Sequence, residues 1–287
     1  MPILLPALSR REVVTGLATS AVAGWHRPEY QRVLLLSDTH VPASPETVVR
    51  DMRPYQNTAD ALATAQALGP WDAAIITGDC ACIDGQVGDY VALATLLAPI
   101  RQLDCPIHLL LGNHDHRERF WAALAEDRSA PPRFYAAAVQ TPLVNWFFLD
   151  SLRETNEIRG ALGAMQIRWL LRRLEPSQKP AIVALHHNLD SKPSSIGLLD
   201  TERLLSALER RPRVKAVIFG HTHDWQVDQW AGIHLINLPP TAYVFEPSRP
   251  RGFLDARIYA DHLRVTLHTL PKAHPQHGET LHLRWRQ

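Results

Sequence analysis

Short apolar runs and amphipathic stretches alternate along most of the chain. The runs bounded by turn-forming residues read as buried strands: Arg32–Leu36, Ala73–Thr77, Ile107–Leu111, Leu143–Leu149, Ala181–Leu185 and Val214–Phe219. Between them, Asn57–Leu68, Val87–Arg101, Arg117–Ala125, Gly163–Leu174 and Leu198–Arg210 read as helices. After Phe219 the pattern changes. His234–Leu238, Phe253–Tyr259 and Leu263–Leu270 alternate like antiparallel strands, with no long helix between them. Pro131-Pro132 and Pro239-Pro240 mark loops, and Pro271–His277 is irregular. A β-α-β-α half followed by a mostly β half predicts an α/β fold of two packed sheets flanked by helices. No internal repeat or domain boundary is visible, and 287 residues suit one large core.

The N-terminus carries its own signal. Ser9-Arg10-Arg11 precedes Val13-Val14, a mildly apolar stretch Thr15–Ala23, and the small residues Ala21-Val22-Ala23 ahead of Gly24. This resembles a twin-arginine export signal, although Val13, Val14 and Thr15 depart from its usual Phe, Leu and Lys. The expectation is a leader over residues 1–23 that takes no part in the fold, followed by a single domain over 24–287 and an extracytoplasmic destination. The competing reading is an ordinary N-terminal helix of a cytoplasmic protein. No apolar run is long enough to span a bilayer, so no stable membrane anchor is expected.

Composition narrows the chemistry. A formal net charge of +1 gives little support to a basic groove, so no nucleic-acid partner is expected. The three cysteines, Cys80, Cys82 and Cys105, form no disulfide framework and read as small core residues, with soft metal ligation as the alternative. Fifteen histidines are many for this length, and histidine is the commonest metal ligand.

Five polar clusters directly follow five apolar runs: Asp38-Thr39-His40, Gly78-Asp79, Gly112-Asn113-His114-Asp115, His186-His187 and Gly220-His221-Thr222-His223. In open α/β sheets, ligands gather beyond the carboxyl ends of strands, so the five clusters can meet in one crevice. Two carboxylates, one amide and four imidazoles suit borderline transition metals, and hold too many nitrogens for Mg or Ca. Seven groups are too many for one tetrahedral ion. They serve two ions about 3.5–4 Å apart if a carboxylate bridges them. Each cluster alone is weak; their ordered set is not.

That ordered set resembles the calcineurin-like metallophosphoesterases, whose pattern runs D-x-H, G-D, G-N-H-D or G-N-H-E, H, then G-H-x-H. The resemblance covers roughly residues 32–245. It implies a four-layer α/β/β/α sandwich of two mixed sheets and a centre with two divalent or trivalent transition-metal ions, Mn, Fe or Zn. It implies that Asp38, His40 and His223 bind one ion, that Asn113, His186 and His221 bind the other, and that Asp79 bridges them. His186 is preferred to His187 because it follows the strand immediately, although Asn188 stands where proline is usual. His114 is implied as the catalytic group at the leaving oxygen, oriented by Asp115. Leu149-Asp150-Ser151, Gly160–Trp169, Leu199–Leu208 and Thr241-Ala242-Tyr243 further resemble the class III cyclic-nucleotide phosphodiesterase and glycerophosphodiesterase branch.

The implied reaction is hydrolysis of a small phosphoester, a diester or else a monoester, by in-line attack of a metal-bridging hydroxide with His114 assisting departure. The alternatives are a monoesterase or nuclease of the same family, or a non-catalytic binding protein on the same fold. An exported enzyme would meet extracytoplasmic phosphoesters rather than second messengers. Around the site, His116, Arg117 and Arg119 are candidates for phosphate contact or a solvated helix start. Trp225 is a candidate for base stacking or core packing.

Overall fold

The computed structural model describes residues 3–5, 28–125, 134–176, 178–189 and 195–287. The paired arginines, Ala21-Val22-Ala23, His26 and Pro131-Pro132 lie outside the described residues. Two sheets stack face to face. The first has the order β1 (Ile3–Leu5), β4 (Ile107–Leu109), β3 (Ala73–Ile76), β2 (Gln31–Leu36), β11 (Gly252–Ile258), β12 (His262–Thr269), β13 (Thr280–Arg284). The second has the order β5 (Ala137–Gln140), β6 (Asn145–Phe148), β7 (Ala181–Ala184), β8 (Val214–Phe219), β10 (Ile233–Asn237), β9 (Gln226–Trp230). Helices α1 (Pro54–Leu68), α2 (Val87–Arg101) and α3 (Arg117–Leu124) cover the first sheet, and α4 (Gly163–Leu174) and α5 (Thr201–Glu209) cover the second. This is the expected α/β/β/α sandwich.

The alternation of side chains along a strand builds the layers. In β2, Leu34 and Leu36 join α1 and α2 in one cluster, while Val33 and Leu35 face the second sheet. In β7, Ile182 and Ala184 face the first sheet, while Ala181 and Val183 pack under α4 and α5. Each fully buried aliphatic side chain contributes roughly 1.5–3 kcal/mol. Burial on both faces explains why these strands read as unbroken apolar runs.

Within the first sheet β2, β3 and β4 run parallel; within the second β6, β7, β8 and β10 do. Their carboxyl ends therefore open onto one end of the sandwich. Two expectations need correction. β10 pairs in parallel with β8 and is buried throughout, so it is antiparallel only towards β9. Helix α5 starts at Thr201 rather than Leu198, because Leu198 bridges Gly160 and the Asp200 carboxylate accepts from the Leu162 and Gly163 N–H groups at the start of α4. Ile3–Leu5 pair antiparallel with Ile107–Leu109 and so form an edge strand beside β4.

Candidate active site

All seven expected ligands converge where the strands end. Asp38 lies just beyond β2, Asp79 beyond β3, Asn113 beyond β4, His186 beyond β7, and His221 and His223 beyond β8. Asp38, His40 and His186 are fully buried, and Asp79, Asn113, His221 and His223 nearly so. Five of them, Asp38, His40, Asp79, His221 and His223, hold positive φ values between 39° and 75°. Such conformations cost a non-glycine residue of order 1–2 kcal/mol each and cluster where function requires them. Two glycines make room. A Cβ on Gly112 would lie 2.1 Å from Asp79 Oδ1, and one on Gly220 would lie 2.5 Å from Asp38 Oδ2.

Three groups of ligand atoms could hold an ion: Asp38, His40 and His223; Asp79, His186 and His221; and, overlapping both, His40, Asp79 and His114. In the first, His223 Nε2 lies 3.4 Å from Asp38 Oδ1 and 3.0 Å from His40 Nε2, which is 3.6 Å from Asp79 Oδ2. In the second, His186 Nε2 lies 3.3 Å from Asp79 Oδ2, 3.3 Å from Asn113 Oδ1 and 3.2 Å from His221 Nδ1. Asp79 touches both groups.

Backbone carbonyls set which nitrogen carries the proton. His223 Nδ1 lies 2.8 Å from the Tyr243 carbonyl, His40 Nδ1 3.3 Å from that of Cys82, and His221 Nε2 3.0 Å from that of Ile196. A carbonyl only accepts, so each of these nitrogens is an N–H, and the other nitrogen is turned into the crevice, where it can offer a lone pair to a cation. Those inward nitrogens face one another and two carboxylates at hydrogen-bonding distance. Acceptors gathered in a dry crevice call for cations. The donor set and its tautomers therefore fit two borderline metal ions.

The electrostatics agree. Burial alone would raise the Asp38 carboxyl, but His223 and His186 together hold the group below the usual carboxylate range. Asp79 behaves likewise through His186 and His40. Burial opposes charge on His186, yet Asp79 and Asp38 raise its pKa to about 9, so a proton occupies the point where the acceptors meet when no other cation does. Burial lowers His40 to about 3 and His221 to about 4.

Beside this set, the His114 N–H donates to Asp79 Oδ1 at 2.8 Å, and its Nδ1 lies 2.6 Å from the Ile83 carbonyl. Asp115 does not orient that ring. Its buried carboxylate accepts from the backbone N–H groups of Gly112, Cys80 and Ala81, and so ties the loop after β4 to the loop after β3. His187 turns away: its Nδ1 lies 2.8 Å from Ser151 Oγ, and it belongs to none of the ligand groups. That geometry supports His186 as the ligand. Arg117 forks onto Asp150 at 2.8 and 3.1 Å and also reaches the Leu152 carbonyl. His116 caps α3, and Arg119 reaches the Asp84 carbonyl. Trp225 packs between the sheets with its Nε1 on Glu279. Each of these four has an internal partner. The three cysteines are buried and free. Sequence reasoning missed Phe245, whose ring stacks on His223 at 4.4 Å, and Arg50, whose guanidinium lies 4.6 Å from the Phe245 ring centroid. No motif marks either one.

Comparison with known proteins agrees with this geometry. The calcineurin-like phosphoesterase family matches residues 31–225. A probable cyclic nucleotide phosphodiesterase of Synechococcus sp. (strain WH7803) is 32% identical over 237 residues, covering 76% of this chain and 85% of that protein. The 3′,5′-cyclic adenosine monophosphate phosphodiesterase CpdA of Escherichia coli (strain K12) is 28% identical, covering 84% of this chain and 86% of that protein. Among solved structures, a dimetal phosphatase from Danio rerio superposes with a TM-score of 0.66 at 18% identity, covering 89% of this chain and 99% of that one, which is a likeness of fold. With its ordered strand-end motifs and its paired ligand groups, the chain belongs to the calcineurin-like phosphoesterases and is a phosphoric ester hydrolase of that binuclear-metal family.

Proposed function

We propose that the chain hydrolyses a small phosphodiester of the 3′,5′-cyclic nucleotide kind at a centre of two transition-metal ions, Mn, Fe or Zn. The observation that carries this is the convergence of carbonyl-fixed imidazole lone pairs and two carboxylates on two adjoining points. The names of the two relatives support the substrate class. Asp38, His40 and His223 would hold one ion, Asn113, His186 and His221 the other, with Asp79 shared. When bound, such ions supply Lewis acidity towards a phosphoryl oxygen and lower the pKa of a coordinated water.

The remaining chemistry belongs to the chain. The strained strand ends hold the ligands in place before substrate arrives, so little reorganisation is needed during the reaction. Burial excludes bulk water and strengthens each charge interaction. His114 is pinned by its N–H on Asp79 and by Nδ1–H on Ile83, which leaves Nε2 for the substrate side. In its cationic form it hands that Nε2 proton to the departing alkoxide. Export by the twin-arginine route accompanies this proposal, supported by Arg10-Arg11 and the small residues Ala21–Ala23.

The test is turnover of 3′,5′-cyclic AMP by metal-loaded protein and by His114→Ala. The variant should keep its metal content and lose about 10²–10⁴-fold in kcat. An inactive wild type, or a variant at the wild-type rate, refutes the scheme.

A further inference from the structure

The mouth of the site is not uniformly polar. Phe245 is 51% exposed and Ile83 58% exposed, yet both attach to the catalytic cluster. Ile83 offers its carbonyl to His114, and Phe245 lies nearly parallel to the His223 ring, at 26°. A large apolar side chain held open to solvent beside a polar centre marks a surface that something covers.

Arg50 adds a second, independent feature. Its guanidinium lies over the Phe245 ring at 4.6 Å. The Phe245 ring therefore meets both an imidazole and a guanidinium. Among the described residues Arg50 forms no ion pair. The turn that presents it is strained. Val49 and Met52 exchange backbone hydrogen bonds at 2.8 and 2.9 Å, which leaves a two-residue loop of Arg50 and Asp51, at φ 50° and 60°. Asn-Gly is the easy sequence for such a turn, and arginine is a costly one. The fold therefore places a planar cation, with no ion-pair partner among the described residues, against the ring that packs on a candidate metal ligand.

We infer that the Arg50–Phe245 layer is the platform for the part of the substrate beyond the scissile phosphate, and that it selects a planar aromatic group such as a nucleobase over a small aliphatic alcohol. This rests on the phosphodiesterase reading and narrows it, since a glycerol-type diester has nothing to lay on the platform. The guanidinium face accepts a base by stacking, and its N–H groups can meet ring nitrogens or carbonyls at the base edge.

The test is equilibrium binding, which does not depend on turnover. Titration calorimetry of metal-loaded protein compares AMP with ribose 5-phosphate, which carries a hydroxyl in place of the base. The wild type should prefer AMP by about ten- to hundredfold, as expected for one base stacked on one platform. Phe245→Ala removes most of that preference and Arg50→Ala part of it, while ribose 5-phosphate affinity stays unchanged in both. Equal affinities in the wild type overturn the proposal, as does a preference that survives both substitutions. A parallel loss of AMP and ribose 5-phosphate affinity also overturns it, because Phe245 would then act only by positioning His223. Wild-type protein that prefers AMP but does not turn over cyclic AMP refutes the proposed reaction and leaves the platform standing.

Discussion

His108 illustrates what a single residue costs this fold. It occupies the centre of β4, 5% exposed, with its ring 4.8 Å from that of Phe148 between the sheets. Its Nδ1 has no hydrogen-bond partner among the described residues. Burial lowers its pKa from 6.5 to about 4. The native state therefore keeps the ring neutral at pH values where the unfolded chain protonates it. Stability from this position is complete above pH 6.5 and is lost as the pH falls towards 4, by roughly 3 kcal/mol at most. Other buried imidazoles add acid sensitivity of their own, so the comparison must be differential. His108→Leu should show a shallower fall in urea midpoint between pH 7 and pH 4.5 than the wild type. Superimposable curves would remove His108 from the account.

At the scale of elements, the N-terminal strand has the most at stake. β1 contributes three residues at a sheet edge and no site residue, so its loss exposes β4 as the new edge and leaves the ligand set whole. Export predicts that protein recovered from its native cells begins at or near Gly24 and carries its full metal content; an intact mass that includes Ile3–Leu5 would show that the segment is retained and that β1 is a working strand. The strands that sequence reasoning found and missed divide by position. β1 and β13 are the edges of the first sheet, and β5 and β9 the edges of the second. All four escaped the pattern search. Exposure alternates along β5 and reaches most of β9 and β13, so polar residues interrupt their apolar runs. The inner strands are covered on both faces and stand out for that reason. The candidate ligands were legible because their motifs follow such runs directly. Arg50 and Phe245 were not, because their relation to His223 arises only when loops after different elements meet. Asp115 was placed correctly but given the wrong task, since the backbone N–H groups it serves have no signature in sequence.

For the whole molecule, the site joins the two halves of the sandwich. Asp38, His40, Asp79 and Asn113 extend from the first sheet, and His186, His221 and His223 from the second. Without cations this junction is a weakness. Inward-facing imidazole nitrogens crowd each other at 3.0 and 3.2 Å, and five candidate ligands sit in left-handed backbone conformations. The proton drawn onto His186 neutralises only part of that arrangement. Ions that bind the native state and not the unfolded chain stabilise it by mass action, by about 4 kcal/mol at a thousandfold excess over Kd. For a chain of 287 residues each kcal/mol moves Tm by about 2–3 °C, so stripping the metals should lower Tm by about 10 °C. Because the ligands belong to both sheets, the transition should remain single rather than split into two halves. Asp79→Asn, which removes the shared carboxylate, should respond much less to chelator and reloading than the wild type. Calorimetric scans of chelated and Mn- or Zn-reloaded protein decide this. An unchanged Tm on metal removal would mean that the seven residues do not close the sandwich through a metal centre.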